Sequence, residues 1–135
     1  MPELRTHVMA RAAYERVTAR QEAAFKKEYG ALAHKFPGMI LQNGLAQATG
    51  FLLAKGQPEH LALLADCAAL LRLSGATHGT DPNALHQEII AADLAATLLL
   101  TRRALEASGW LKRYVQGALG IDATGEPTTP EGAQP

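Results

Sequence analysis

Four sets of helix-stopping residues cut this chain into lengths, and little that favours strand lies between them. Pro37-Gly38, Gly56 with Pro58, Ser74-Gly75 and Asp81-Pro82 are the punctuation. Proline pushes the residue before it out of the helical region, and glycine commonly closes a helix at its C-terminal end. The intervening sequence is rich in Ala and Leu: hydrophobic residues make up 47% of the chain but aromatics only 5%. Sheet cores want β-branched and aromatic residues, so this mixture favours helix.

The punctuation predicts an all-α helical bundle of about five helices, with a long N-terminal helix and a long C-terminal helix. The first runs from about Glu3 to Lys35, which at 1.5 Å per residue is about 50 Å. A second runs from Pro37 or Gly38 to Lys55, and a third has Pro58 in its first turn and ends at Ser74-Gly75. After the loop ATHGT, Asp81 offers an N-cap carboxylate and Pro82 a first-turn proline. From there a helical pattern continues to about Leu119, with a break near residues 91–93. With 135 residues, one domain over 1–119 is expected. Residues 120–135, rich in Pro, Gly, Thr and acid, read as a disordered tail.

The stretch KFPGMILQNGLAQATGFLLAKG, residues 35–56, places Gly44 and Gly50 inside a predicted helix. It is no phosphate loop: Lys55-Gly56 is in the wrong order for that motif, and no strand precedes it. Each interior glycine costs a helix about 1 kcal/mol relative to alanine. Close helix packing is therefore the expected reason for both.

Thirteen basic and thirteen acidic residues balance, but the tail holds Asp122, Glu126 and Glu131 and no base. The remainder is mildly basic. On a helical wheel Ala10, Tyr14, Val17, Phe25, Tyr29 and Leu32 form the arc expected to face the bundle. Opposite it lie Arg5, Arg16 and Lys27, each 11 residues from the next, with Arg20 and His34 in the same arc. The wheel predicts a basic stripe roughly 33 Å long. Arg102 and Arg113 repeat the spacing near the other end, flanked by Arg103 and Lys112. Such stripes suit phosphate backbones, because several cations release counterions together. A merely solvated helix face is the plainer reading, and cations late in a helix also complement its dipole.

Chemistry-bearing constellations are sparse. Cys67, the single cysteine, sits in LALLADCAALL, which suits a buried thiol and excludes an internal disulfide. No two of His7, His34, His60, His78 and His86 show the spacing of a helical zinc site. Asp66, Glu88 and Asp93 could meet in a bundle core, but no Glu-x-x-His pair accompanies them. Ser74 and Ser108 lack a nucleophile-elbow context. These readings predict no enzyme, no cofactor and no metal. Trp110 could stack a base beside Lys112 and Arg113, although half-buried packing suits a lone Trp on a long helix better. No apolar run reaches the roughly 20 residues that span a bilayer, and no secretory signal is visible, so the cytoplasm is the expected location with no membrane partner.

The runs KEYGALAHKFPGMILQNGLAQATGFLLAKG (27–56) and TRRALEASGWLKRY (101–114) resemble the small all-helical subunit of the Cmr-type (type III-B) CRISPR effector complex. The similarity extends over roughly residues 5–118. It rests most on Pro37, Met39, Ile40, Asn43, Gly44 and Leu45, and on Trp110-Leu111-Lys112-Arg113 after Thr101, Arg102, Ala104 and Leu105. Gly50 and Gly109 depart from it, standing where bulkier helix formers are expected. The resemblance implies a non-catalytic subunit that stacks in an inner filament and helps to accommodate guide and target RNA in antiviral defence. It implies as partners the backbone and large subunits and copies of the chain itself. The resemblance carries over only the core motif and the Trp110–Arg113 segment. Joined to the basic stripes read from spacing, it has Arg5, Arg16, Arg20, Lys27, Arg102, Lys112 and Arg113 contact phosphates without regard to base sequence. The alternative is a helical protein–protein scaffold with no direct nucleic-acid contact.

Overall fold

Residues 4–78 and 81–123 are described by a computed structural model. Six α-helices follow one another: α1 (Arg5–Thr18), α2 (Lys26–Asn43), α3 (Leu45–Lys55), α4 (Pro58–Leu73), α5 (Pro82–Ala91) and α6 (Leu94–Tyr114). A π-helical turn, Val115–Leu119, prolongs α6. There is no strand among the described residues, and the all-α bundle expected from composition is what forms.

The centre is α4. Ala62, Leu63, Leu64, Cys67, Ala68, Leu70 and Leu71 are all buried, leaving it apolar nearly all round, as a helix enclosed by others must be. It touches α1, α2, α3, α5 and α6. Cys67 is a free, buried thiol. The outer helices each bury one face: Met9, Ala13 and Val17 from α1, Tyr29, Leu32, Phe36 and Ile40 from α2, Leu100, Ala104 and Leu111 from α6.

The single N-terminal helix expected over 3–35 is two helices. Residues 19–25 carry neither Gly nor Pro, yet the chain turns there. Arg20, Gln21, Ala23 and Lys26 each donate their backbone N–H to the carbonyl three residues back. Thr18 assists by donating its hydroxyl to the carbonyls of Tyr14 and Glu15, a back-bond that weakens helical continuity. The turn also rotates the two halves of the predicted apolar arc relative to each other. Tyr14, expected to face the core, is exposed, and Met9 and Ala13 take that role.

Pro37 lies inside α2 instead of ending the first helix. It has no N–H for the preceding turn, a cost of about 3 kcal/mol. Full burial of Phe36 and Ile40 on either side, at about 1.5–3 kcal/mol per large side chain, offsets it. The real break comes at Gly44, whose φ of 87° belongs to glycine. A Cβ there would meet nothing, and at Gly50 it would make only ordinary contact with His86 at 3.5 Å. Neither glycine serves close helix packing.

The glycine that does is Gly30. A Cβ on it would lie 2.5 Å from Ile121, the residue placed by sequence at the start of the tail. Ile121 is buried, and its carbonyl lies 2.9 Å from His34 Nε2. Residues 124–135, most of the expected tail, lie outside the described residues.

The remaining punctuation acts as expected. Gly56 closes α3 with φ 62° and Pro58 opens α4. Asp81 and Asp93 cap α5 and α6, each accepting a backbone N–H at 2.8 Å, from Ala84 and Ala96 respectively.

Candidate nucleic-acid interface

Two groups of cations share the 11-residue spacing, and the structure treats them oppositely. In the first, Arg16 from α1, Arg20 from the turn at 19–25 and Tyr29 from α2 converge on one carboxylate of α4, Asp66. Arg16 Nε donates to Asp66 Oδ1 at 2.7 Å. Arg20 binds both oxygens, Nη2 to Oδ1 at 2.6 Å and Nε to Oδ2 at 3.2 Å. The Tyr29 hydroxyl donates to Oδ2 at 2.5 Å, and the Arg20 guanidinium lies 5.7 Å from the Tyr29 ring centre. Asp66 is wholly buried, while the Arg16 and Arg20 side chains remain 38% and 22% exposed.

A buried carboxylate persists only when paired and hydrogen-bonded, and this one has four donor contacts. The hydrogen bond from Arg20 to Asp66 pushes the Arg20 pKa up from its ordinary value. Burial, reinforced by the Asp66 charge, holds the Tyr29 hydroxyl well above the usual phenol range. Burial likewise pushes the neighbouring Cys67 thiol up to about 12. The polar groups of this cluster are spent on one another, so it forms a clasp between α1, α2 and α4. Glu88 and Asp93 do not join Asp66: Glu88 accepts the backbone N–H of His78, and Asp93 caps α6.

The predicted straight stripe is therefore absent, because the turn divides it and Asp66 draws its middle inward. Arg5 pairs with Glu106 of α6 at 3.4 Å. Lys27 is exposed in the first turn of α2, and His34 is half-buried against Ile121.

The second group lies on α6. Arg102 and Arg113 are exposed and Lys112 is half-buried. Arg103, expected to flank them, lies 3.9 Å from Glu106. A shallow cleft of about 390 Å³ between α2 and α6 is lined by Pro37, Gly109, Lys112, Arg113 and Gln116. Among the described residues no carboxylate lines it. A neighbouring cleft of about 360 Å³ is lined by Leu105, Glu106, Gly109, Trp110 and Arg113. Trp110 is half-buried and stacks on Tyr114 with ring centres 5.8 Å apart and planes 17° apart. Tyr14 meets Tyr114 edge-on at 5.4 Å. One packing role of Trp110 is thus accounted for.

Residue pattern missed the clasp, although a signal existed. Asp66 is the lone charge between Leu61 and Leu71 on an otherwise apolar helix, and such a residue demands partners. Among the described residues no three His, Cys, Asp or Glu side chains converge as metal ligands would. No helix there is long and apolar enough to cross a membrane.

Comparison with known proteins gives this geometry its context. The family model "CRISPR-associated protein (Cas_Cmr5)" matches residues 5–118. The chain belongs to the Cmr5 family. It is 34% identical over 115 residues to the CRISPR system Cmr subunit Cmr5 of Thermus thermophilus, covering 85% of this chain and 96% of that one. The crystal structure of a CRISPR-associated Cmr5 family protein from Thermus thermophilus superposes with a TM-score of 0.78. Its identity is 34%, with 86% of this chain and 97% of that one covered. The clasp, the α2–α6 cleft and the buried α4 therefore all lie within the stretch that the Cmr5 family model matches.

Proposed function

We propose that this Cmr5 chain is the non-catalytic small subunit of a type III-B CRISPR effector complex in the cytoplasm. In this reading it stacks with copies of itself beside the backbone and large subunits and touches guide and target RNA through basic helix faces. The observation that carries the RNA contact is the cleft lined by Lys112 and Arg113, with no carboxylate among its described lining residues and Arg102 exposed on the same helix. Binding through Lys112 and Arg113 to phosphates would be without base readout, because contacts to the sugar–phosphate backbone carry no sequence information. Arg5 and Lys27 are peripheral contacts. Arg16 and Arg20 add one net positive charge, since Asp66 offsets the other. The mutual pairing of Asp66, Tyr29, Arg16 and Arg20 supports a non-catalytic role, because those groups hold one another and the fold.

The test is an RNA titration of the full-length protein by fluorescence anisotropy at a series of salt concentrations. Wild-type binding is expected to be weak, insensitive to sequence and steeply weakened by salt. A Lys112→Ala/Arg113→Ala variant is expected to bind less tightly, with the salt slope reduced by about one per cation removed. Wild-type affinity in that variant would sink the assignment.

One observation favours the scaffold alternative. Leu94 and Leu98 on the first turns of α6 are 76% and 59% exposed, with Ile90 of α5 at 60%. Aliphatic surface of this kind suits a protein neighbour. Along α6 the outer surface is apolar near the N-terminal end, at Leu94 and Leu98, and basic further on, at Arg102 and Arg113. The scaffold alternative would leave the basic part without RNA.

A further inference from the structure

Gly109 has no internal reason to be glycine. It sits well inside α6, five residues from the last helical residue, where alanine would favour the helix. No turn, cap or positive φ requires it. Beyond its own stretch of helix, a Cβ at this position would meet no atom of the described residues within 4 Å, in contrast to Gly30, where Ile121 fills the space. Gly109 is also the floor shared, with Arg113, by both clefts on α6. Lys112, Arg113 and Gln116 follow it at three, four and seven residues, so they share its face. On the opposite wall, Pro37 offers a low ring, and the adjacent Gly38 also has open space at its Cβ position.

We propose that Gly109 is a contact point for the sugar–phosphate backbone of RNA, kept bare so that a strand can lie directly against α6. Lys112 and Arg113 hold its phosphates and Gln116 supplies an amide donor. The cleft between α2 and α6 is the seat. Glycine is the usual residue where a ligand must approach a protein backbone closely. The charge of the lining selects the occupant. Two cations and an amide with no large aliphatic side chain suit a polyanion, whereas a docked protein helix would want the apolar surface that α6 offers at Leu94 and Leu98. The inference rests on the RNA reading above and names the place on α6 where the strand touches.

The experiment pairs thermal melting with RNA titration of full-length Gly109→Ala and Gly109→Gln, using a mixed-sequence single-stranded RNA. Both variants keep the charge, and alanine and glutamine both favour helix over glycine. Gly109→Ala is expected to melt higher than wild type yet bind RNA about threefold more weakly, and Gly109→Gln about tenfold more weakly. The salt slope stays that of wild type in both, because no cation is lost. A structural role for Gly109 would lower the melting temperature and overturn the proposal. Unchanged RNA binding in both variants, with Lys112→Ala/Arg113→Ala weakened, would also overturn it while leaving the RNA reading intact. Unchanged RNA binding with lost incorporation into the assembled complex would overturn it too, and would place a protein neighbour there. Absence of wild-type RNA binding would remove the RNA reading itself, and this proposal with it.

Discussion

Arg5, Arg16 and Lys27 at one end of the chain and Arg102 and Arg113 at the other repeat every 11 residues, yet they come to opposite ends. Arg16 and its neighbour Arg20 turn inward onto Asp66 and join three helices. Arg102 and Arg113 stay exposed on the outer face of α6. Periodicity says which side chains share a face of a continuous helix. It cannot say whether a carboxylate 50 residues away in sequence will claim them. The same spacing has made a clasp in one place and an open surface in the other.

The sharpest way to break this contrast is to remove the carboxylate. Asp66→Ala is expected to destabilise the fold by about 3–5 kcal/mol, because it leaves partly buried cations without their partner. Chemical denaturation checks this. A loss below about 1 kcal/mol would reduce the clasp to an ordinary surface ion pair.

The second difference is in alkali. The unfolded chain releases the Cys67 proton near 9.0, whereas the folded chain holds it to about 12. Stability is therefore full below that lower value and falls as pH rises beyond it, at a slope that approaches about 1.4 kcal/mol per pH unit between the two values. Tyr29, also raised by burial above its ordinary value of 10.0, adds to the fall at still higher pH. Denaturation curves from about pH 8 to about pH 11 read both groups. Cys67→Ala should delay the onset to that of Tyr29. A flat profile would mean that neither group is held protonated.

The smallest effect completes the contrast. Arg102→Ala and Arg113→Ala are each expected to change stability by no more than about 0.5 kcal/mol, as exposed substitutions do. A larger loss in the same denaturation assay would show that α6 uses its cations for the fold.

Much of the architecture was legible from Ala, Leu and the punctuation. Gly56, Pro58, Asp81, Pro82 and Asp93 act through local geometry, and local geometry is what sequence states directly. The turn at 19–25 was not legible, since that stretch contains no breaker and only the distant Asp66, with Tyr29, rewards the bend. Pro37 misled in the opposite direction: packing of Phe36 and Ile40 carries α2 through it. Of the candidate site, Lys112, Arg113 and Arg102 were found by charge and spacing. The cleft was not, because it needs α2 laid against α6, and the openness above Gly109 exists only in three dimensions.

The seat of Ile121 on Gly30 has a practical consequence for handling this protein. Ile121 is held at a fixed point on α2, by its side chain in a notch and its carbonyl beside His34. A truncation that stops before Ile121 leaves that notch empty and strips the cover from a buried glycine. One that stops after Asp122 keeps it filled. The boundary for any fusion or shortened version is thus set by the apolar anchor at Ile121, just beyond the end of regular helix.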